Sequence, residues 1–386
     1  MKKIGIITIS RTNNYGAELQ AYALQKKLQM LGYEAKIIDY LYYKHKKYKY
    51  TKGAAPDLGL GKCKKIKQFV LFRIVSPFLD NVFSLFYRPL RTRLRNFEHF
   101  HTNNVCFSQQ YRSILELNNA NHDYDVFIVG SDQVWSPATG TSLSPYFLEF
   151  ATKGKLKISY ASSFGVSSID KRHYPLFKKY LNNLDSISVR ENAGVNLVKD
   201  ITGREAFRVL DPTLLLSKDE WLTIVEKTQK LPFKYLVIYQ LYESDTIINL
   251  AYHIKSKLNL EIVLIAKRAF MNKKYKGITL IVDAGPSEFV ELFSKASFVV
   301  TNSFHGTAFS INFNVPFFTV LNSNKVNNSR MIDFLDLNGL SERIIWEATG
   351  CDTVMDSQLN NDFVDSNSIL EKERVLSVNF LLDNIK

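Results

Sequence analysis

Two successive open α/β domains are the architecture this sequence predicts, and three observations lead there. Strand-like apolar runs alternate with stretches of helical periodicity along most of the chain. At 386 residues the chain is long for one compact core. The Asp211-Pro212 dipeptide opens a stretch reaching Lys230 that suits a linker, because Asp-Pro interrupts both strands and helices. The expected division is residues 1–215 and residues 216–386.

The first forty residues carry a βαβ pattern. Ile4–Ile9 is a strand-like run, and Arg11–Gly16 is a polar loop. Ala17–Leu31 places Leu19, Tyr22, Ala23, Leu28 and Leu31 at helical spacing, with Gly32 where a helix would end. YEAKIID is the next strand, which implies a right-handed parallel crossover. Residues 44–110 break the rhythm with a Lys/Tyr-rich loop, an apolar stretch around Pro77 and an Arg-rich helical stretch. They read as an inserted basic helical region.

Alternation resumes at Tyr124 with the strand segments DYDVFIVGSDQVW and LKISYASSFG, a helix over Asp170–Leu184, then SISVRENAG. AFRVLDPTLLL reads as a strand that stops at Asp-Pro. The second set runs FKYLVIYQL, a helix over Asp245–Leu258, EIVLIAK, a helix over Pro286–Lys295, SFVVTNS, a helix over Phe304–Phe313 and VPFFTVL. An amphipathic helix over Ile369–Ile385 closes the chain. In open parallel sheets, ligands bind outside the carboxyl ends of the strands, so the loops that follow strands are where chemistry is sought.

Five strand-end segments are polar. Arg11–Ala17 leads into a helix start, which suits an anion or a sugar but equally a plain loop with Asn caps. Asp132 in GSDQVW is either a helix cap or a base. Ser162-Ser163-Phe164-Gly165 allows close approach or simply turns the chain. Arg190 in SVRE is either a bidentate clamp for phosphate or carboxylate, or half of an Arg–Glu surface pair. His305, in TNSFHGTA, is the one histidine of seven in a βα turn, where it serves as an acid or base or as a cap. No P-loop, dinucleotide fingerprint, HExxH or EF-hand pattern is present. The three cysteines, Cys63, Cys106 and Cys351, are scattered, which argues against a zinc site and against a disulfide framework.

Taken in order, NNYGAELQAYAL, VGSDQVW, SYASSFG, SVRENAG, LDPTLLL, VTNSFHGTAFSINFNVPF and NNSRMIDFL resemble the polysaccharide pyruvyl transferase family, over roughly Met1 to Leu340. The resemblance does not extend to 44–110 or to the C-terminal tail. It implies a bacterial enzyme with two Rossmann-like domains facing a cleft, as in GT-B glycosyltransferases, with the acceptor on the N-terminal domain and the donor on the C-terminal one. It implies phosphoenolpyruvate as donor substrate, no other cofactor and no metal. The acceptor would be a saccharide or a lipid-linked glycan, and the product a pyruvate ketal on a surface polysaccharide or exopolysaccharide precursor. His305 matches the family's general acid and Arg190 its SVRE arginine. Asp132 is the carboxylate best placed to take the acceptor proton. Asn14, Gly16 and Ser163 would face the acceptor. Two residues before its histidine the family often carries a second arginine, and here Ser303 stands there. That departure shifts donor binding to another cation, with Arg330 and Lys325 as candidates.

The formal net charge of +13 favours anionic partners. It is concentrated between Lys44 and Arg95, where only Asp57 and Asp80 oppose the lysines and arginines. This region, with FVLFRIVSPFLDNVFSLFY, is either a peripheral docking surface for an anionic membrane or a packed helical pair with a solvated basic face. The short apolar run at the N-terminus is a buried strand rather than a signal peptide, and no run is long enough to span a bilayer. The expected location is the cytoplasm, at the inner face of the membrane if the acceptor is lipid-linked. The competing readings are a GT-B glycosyltransferase using a nucleotide-sugar, a non-catalytic relative, and a nucleic-acid-binding protein. For the last, no binding motif accompanies the charge.

Overall fold

The computed structural model describes residues 1–41, 47–49, 86–137, 142–226, 234–267, 275–323, 328–349, 356–360 and 363–386. Lys325 and most of the basic insertion, including nearly all of FVLFRIVSPFLDNVFSLFY, lie outside these residues.

Two parallel sheets organise the chain. The first has seven strands: β1 (Lys3–Ile7), β2 (Glu34–Tyr40), β3 (Phe107–Tyr111), β4 (Val126–Val129), β5 (Leu156–Ser162), β6 (Ser186–Val189) and β7 (Phe207–Arg208). Their order is β3-β2-β1-β4-β5-β6-β7. The second has six: β8 (Tyr235–Tyr239), β9 (Glu261–Ile265), β10 (Ile278–Ile281), β11 (Phe298–Thr301), β12 (Phe317–Leu321) and β13 (Ile344–Trp346), in the order β10-β9-β8-β11-β12-β13. Both follow the Rossmann pattern, with a switch point between β1 and β4 in one sheet and between β8 and β11 in the other. The central strands β4, β8, β11 and β12 are buried along their whole length, as parallel strands covered on both faces must be.

Among the described residues the α-helices longer than one turn are α1 (Tyr15–Met30), α2 (Arg88–Asn104), α3 (Tyr174–Asn182), α4 (Asn192–Thr202), α5 (Lys218–Leu222), α6 (Asp245–Leu258), α7 (Pro286–Ser294), α8 (Phe304–Asn312), α9 (Ser329–Leu337) and α10 (Val364–Asn384). Asn14 caps α1 by accepting from the Gly16 N–H at 3.1 Å, and Gly32 takes the left-handed backbone that ends it (φ +88°).

The structure corrects the sequence reading in four places. The 44–110 stretch holds the Arg-rich helix as read (α2), but it is not wholly an insertion, since β3 completes an edge of the first sheet. AFRVLDPTLLL forms only the two-residue β7; Asp211 then caps a single 3-10 turn, accepting from the Thr213 N–H. The edge strands β10 and β13 were not anticipated. The closing helix α10, grouped by sequence with the second domain, returns to the first. Arg208 bonds Glu373, the Ser377 hydroxyl accepts from the Leu210 N–H, and Phe380 packs on Tyr160.

The domain interface is apolar. Tyr15 stacks on Phe289 of α7 at 4.6 Å, and its hydroxyl donates to the Ala284 carbonyl at 2.9 Å. Tyr22 and Phe309 both pack on Trp221. Arg93 of α2 enters the same interface at 3% exposure. It stacks on Tyr15 and Phe97, and donates to the Tyr15 hydroxyl and to the carbonyls of Ala266, Lys267 and Val282. This arginine of the basic region is a structural wedge between the domains and not a lipid-facing charge.

Candidate active site

The two switch points face each other, and a cavity of about 400 Å³ lies between them. The first domain contributes Thr12, Asn14 and Ala17 from the end of β1, and Asp132 and Gln133 from the end of β4. The second contributes Tyr239, Lys267, Ser303, His305 and Arg330. The N-termini of α1 and α8 both open onto this space, so their helix dipoles give it positive character.

His305 is the second residue of α8, and Ser303 is the cap. Its ring lies against α1 of the other domain. A Cβ on Gly16 would sit 2.1 Å from His305 Nδ1, so only glycine at that position lets the imidazole cross the interface. His305 Nε2 is buried without a hydrogen-bond partner and lies 4.0 Å from Asp211 Oδ1. Burial lowers the pKa of the imidazole. Asp211 and Asp132 raise it, Arg190 and Arg330 lower it again, and the net position is below the ordinary 6.5.

Behind the histidine is a buried charge cluster. Arg190 Nη1 donates to Asp211 Oδ2 at 2.7 Å, while Nη2 is 4.0 Å from Asp132 Oδ1 and Nε is 3.8 Å from Glu191 Oε2. Its guanidinium lies 4.7 Å over the Phe304 ring. Burial works against the charge, but the three carboxylates outweigh it and hold Arg190 cationic. Nε and Nη2 still lack hydrogen-bond partners. Asp211, fully buried, also accepts from the Ser131 hydroxyl and from the Thr213 N–H and hydroxyl. Burial pushes its carboxyl up, and Arg190, His305 and Thr213 pull it down to about 2. Arg330, in the first turn of α9, lines both the main cavity and the small recess shared by Arg190 and Asp211. Burial, and then Arg190, lowers its pKa.

Asp132 sits in a left-handed backbone conformation (φ +73°) at the end of β4. Its carbonyl accepts from the N–H groups of Val134 and Ser163, and its carboxylate remains partly open to the cavity.

Of the sequence-predicted residues, His305, Asp132, Asn14, Ser303 and Arg330 meet around the cavity. Arg190 stands one layer behind, its charge reaching the cavity through Arg330, Asp132 and His305. Gly16 makes room for the histidine. Ser163 is fully buried and donates to Glu191 at 2.7 Å, away from the cavity lining. The Ser303 hydroxyl caps α8 by accepting from the Gly306 N–H. Asp211 and Lys267 were missed as site residues. Asp211 was read only as part of the Asp-Pro chain break, and Lys267 closes a segment read only as a strand, although it stands at the strand-end position where ligands are expected. Among the described residues, no cluster of three or more His, Cys, Asp and Glu side chains could hold a metal ion.

Two Rossmann domains closing on a cleft place the chain in the GT-B fold class. UDP-N-acetylglucosamine 2-epimerase from Rickettsia bellii is similar at a TM-score of 0.50, with 11% identity over 100% of this chain and 98% of that one. UDP-GlcNAc 2-epimerase from Methanocaldococcus jannaschii is similar at 0.49, with 13% identity over 97% of this chain and 99% of that one. No curated protein matches the sequence. The family model for polysaccharide pyruvyl transferase matches residues 14–324, and the chain belongs to that enzyme family.

Proposed function

We propose that this protein transfers the pyruvyl group of phosphoenolpyruvate to two hydroxyls of one saccharide, forming a ketal and releasing inorganic phosphate. The observation that carries this reading is the buried, unpartnered His305 Nε2 at the head of α8, set among Arg190, Arg330 and Asp132 in a chain of this family. Phosphoenolpyruvate carries a phosphate and a carboxylate, and the cavity offers two helix N-termini and flanking cations for them.

Burial favours the neutral form of His305 in the free protein. Donor anions beside it favour the imidazolium, so donor binding charges the acid it needs. His305 gives a proton to the donor's methylene carbon, which leaves positive charge on the carbon bearing the phosphate. A saccharide hydroxyl bonds that carbon and loses its proton to Asp132. The carbon–oxygen bond to phosphate then breaks and the second hydroxyl closes the ketal, its proton leaving with the phosphate. Arg190, steadied by Asp211, stabilises the negative charge that accumulates on the departing group.

The acceptor is a saccharide, free or lipid-linked. Among the described residues no helix is long and apolar enough to cross a membrane. Phosphate release from phosphoenolpyruvate, measured over a panel of saccharides, tests the reading. Release should depend on acceptor and fall by about 10²-fold or more in His305→Ala. Absence of both release and calorimetric binding of phosphoenolpyruvate would sink it.

A further inference from the structure

Building on that reading, we propose that Lys267 is a donor-binding residue, the cation that receives one of the donor's anionic groups at the carboxyl ends of β8, β9 and β11. Lys267 stands two residues beyond the end of β9 and lines the cavity together with Ser303, His305 and Arg330.

Its head group is held at the exposed rim of the site. Lys267 Nζ donates to the Leu241 carbonyl at 3.0 Å, and Leu241 also lines the cavity. The Leu241 N–H donates to Asn302 Oδ1 at 2.7 Å, and Asn302 directly precedes Ser303, the cap of α8. One short chain of bonds therefore joins the ammonium to the helix N-terminus that presents His305. Ser303 is short and its hydroxyl is committed to the Gly306 N–H, so α8 supplies no cation of its own at that position.

The backbone of Lys267 is held from the other domain. Arg93 Nη2 donates to the Lys267 carbonyl at 3.1 Å, and Nη1 donates to the Ala266 carbonyl at 3.0 Å and the Tyr15 hydroxyl at 2.6 Å. An exposed lysine ordinarily loses much side-chain freedom when it grips an anion. Here both ends of the residue are fixed beforehand, which lowers that cost. Arg93 is thus a positioning residue. It sets the lysine relative to Tyr15, which follows the α1 cap Asn14, and so ties the donor-side cation to the acceptor-side helix.

The test is steady-state phosphate release by full-length wild type, Lys267→Ala and Lys267→Arg, with the thermal midpoint of each recorded. In Lys267→Ala the donor KM should rise about 10- to 100-fold while kcat and the acceptor KM change little. Competition by inorganic phosphate should weaken in parallel, and Lys267→Arg should recover most of the donor affinity at an unchanged midpoint. Arg93→Lys should raise the donor KM in the same direction by a smaller factor. An unchanged donor KM in Lys267→Ala overturns the inference and leaves pyruvyl transfer standing, as does a loss that falls equally on both substrates. A wild-type protein that releases no phosphate from phosphoenolpyruvate overturns both.

Discussion

Arg93 and Arg190 are both buried arginines stacked on aromatic rings, and they are satisfied in opposite ways. Arg93 spends its donors on three backbone carbonyls and a tyrosine hydroxyl, all neutral. Arg190 faces three carboxylates, bonds one of them within 3 Å, and keeps two nitrogens without partners. The first arrangement saturates a cation with fixed dipoles and cements an interface. The second neutralises a cation while leaving its hydrogen-bonding capacity unspent, which costs stability unless a ligand completes it. The contrast separates a structural arginine from a functional one better than burial does, since the two are 3% and 7% exposed.

Arg190→Met should break the contrast most severely. Activity should fall by about 10³-fold or more, since both the charge stabilisation and the setting of Asp211 and His305 are removed. Stability should fall by about 3–5 kcal/mol, because Asp211 and Glu191 are left buried without their cation. Phosphate release and urea melts would read the two effects. Gly16→Ala sharpens the comparison by moving the histidine alone. Its methyl group would displace the His305 ring and lower kcat/KM about 10²-fold, at a stability cost of about 1–3 kcal/mol in the same melts, below that of Arg190→Met. Arg93→Met should reverse the balance, costing about 2–3 kcal/mol through orphaned carbonyls and a larger factor in stability than in kcat. If it erased activity at wild-type stability, the distinction drawn above would be wrong.

The smallest effect concerns pH. His305 is held below its ordinary 6.5, so the unfolded chain binds the proton more readily. Stability should therefore fall as pH drops below about 6.5, by less than about 1.4 kcal/mol per pH unit. His305→Gln should flatten that slope in melts at pH values on either side. Asp211, depressed to about 2, adds stability above its ordinary 3.8 that is lost only as pH falls from there toward 2.

The central strands were legible because each is covered on both faces and so reads as an unbroken apolar run, as in VFIV, YLVIY and FVVT. The strands missed or misjudged are β3, β7, β10 and β13, and all four are sheet edges. An edge strand is paired on one side only and is partly exposed, so Phe107–Tyr111 (FSQQY) carries no such run, and Ile278–Ile281 (ITLI) is half-buried with its apolar run broken by Thr279. Within the site, His305 and Asp132 were legible from the rule that ligands meet strand ends, and Arg330 only from the family resemblance, as the cation to replace the arginine missing at Ser303. The depth of each residue was not. Ser163 and Arg190 follow strands in the same manner as Asp132, yet they lie behind the cavity because Glu191 and Asp211 draw them inward. Asp211 itself was obscured by the neighbouring proline, which explained the chain break without reference to the carboxylate.

The return of α10 to the first domain has a mechanical consequence. The chain passes from the first sheet to the second after β7 and comes back through α10, whose Arg374 grips both the Leu214 carbonyl and Asn312 of α8. With α2 wedged in from the insertion as well, the halves are joined at several separated points and lack a single pivot. Wide jaw-like opening about one linker would have to bend all of these together. The seating of His305 over Gly16 and the apolar seam at Tyr15 and Phe289 therefore share the same set of joints, and a change at either side of the seam bears on the catalytic histidine.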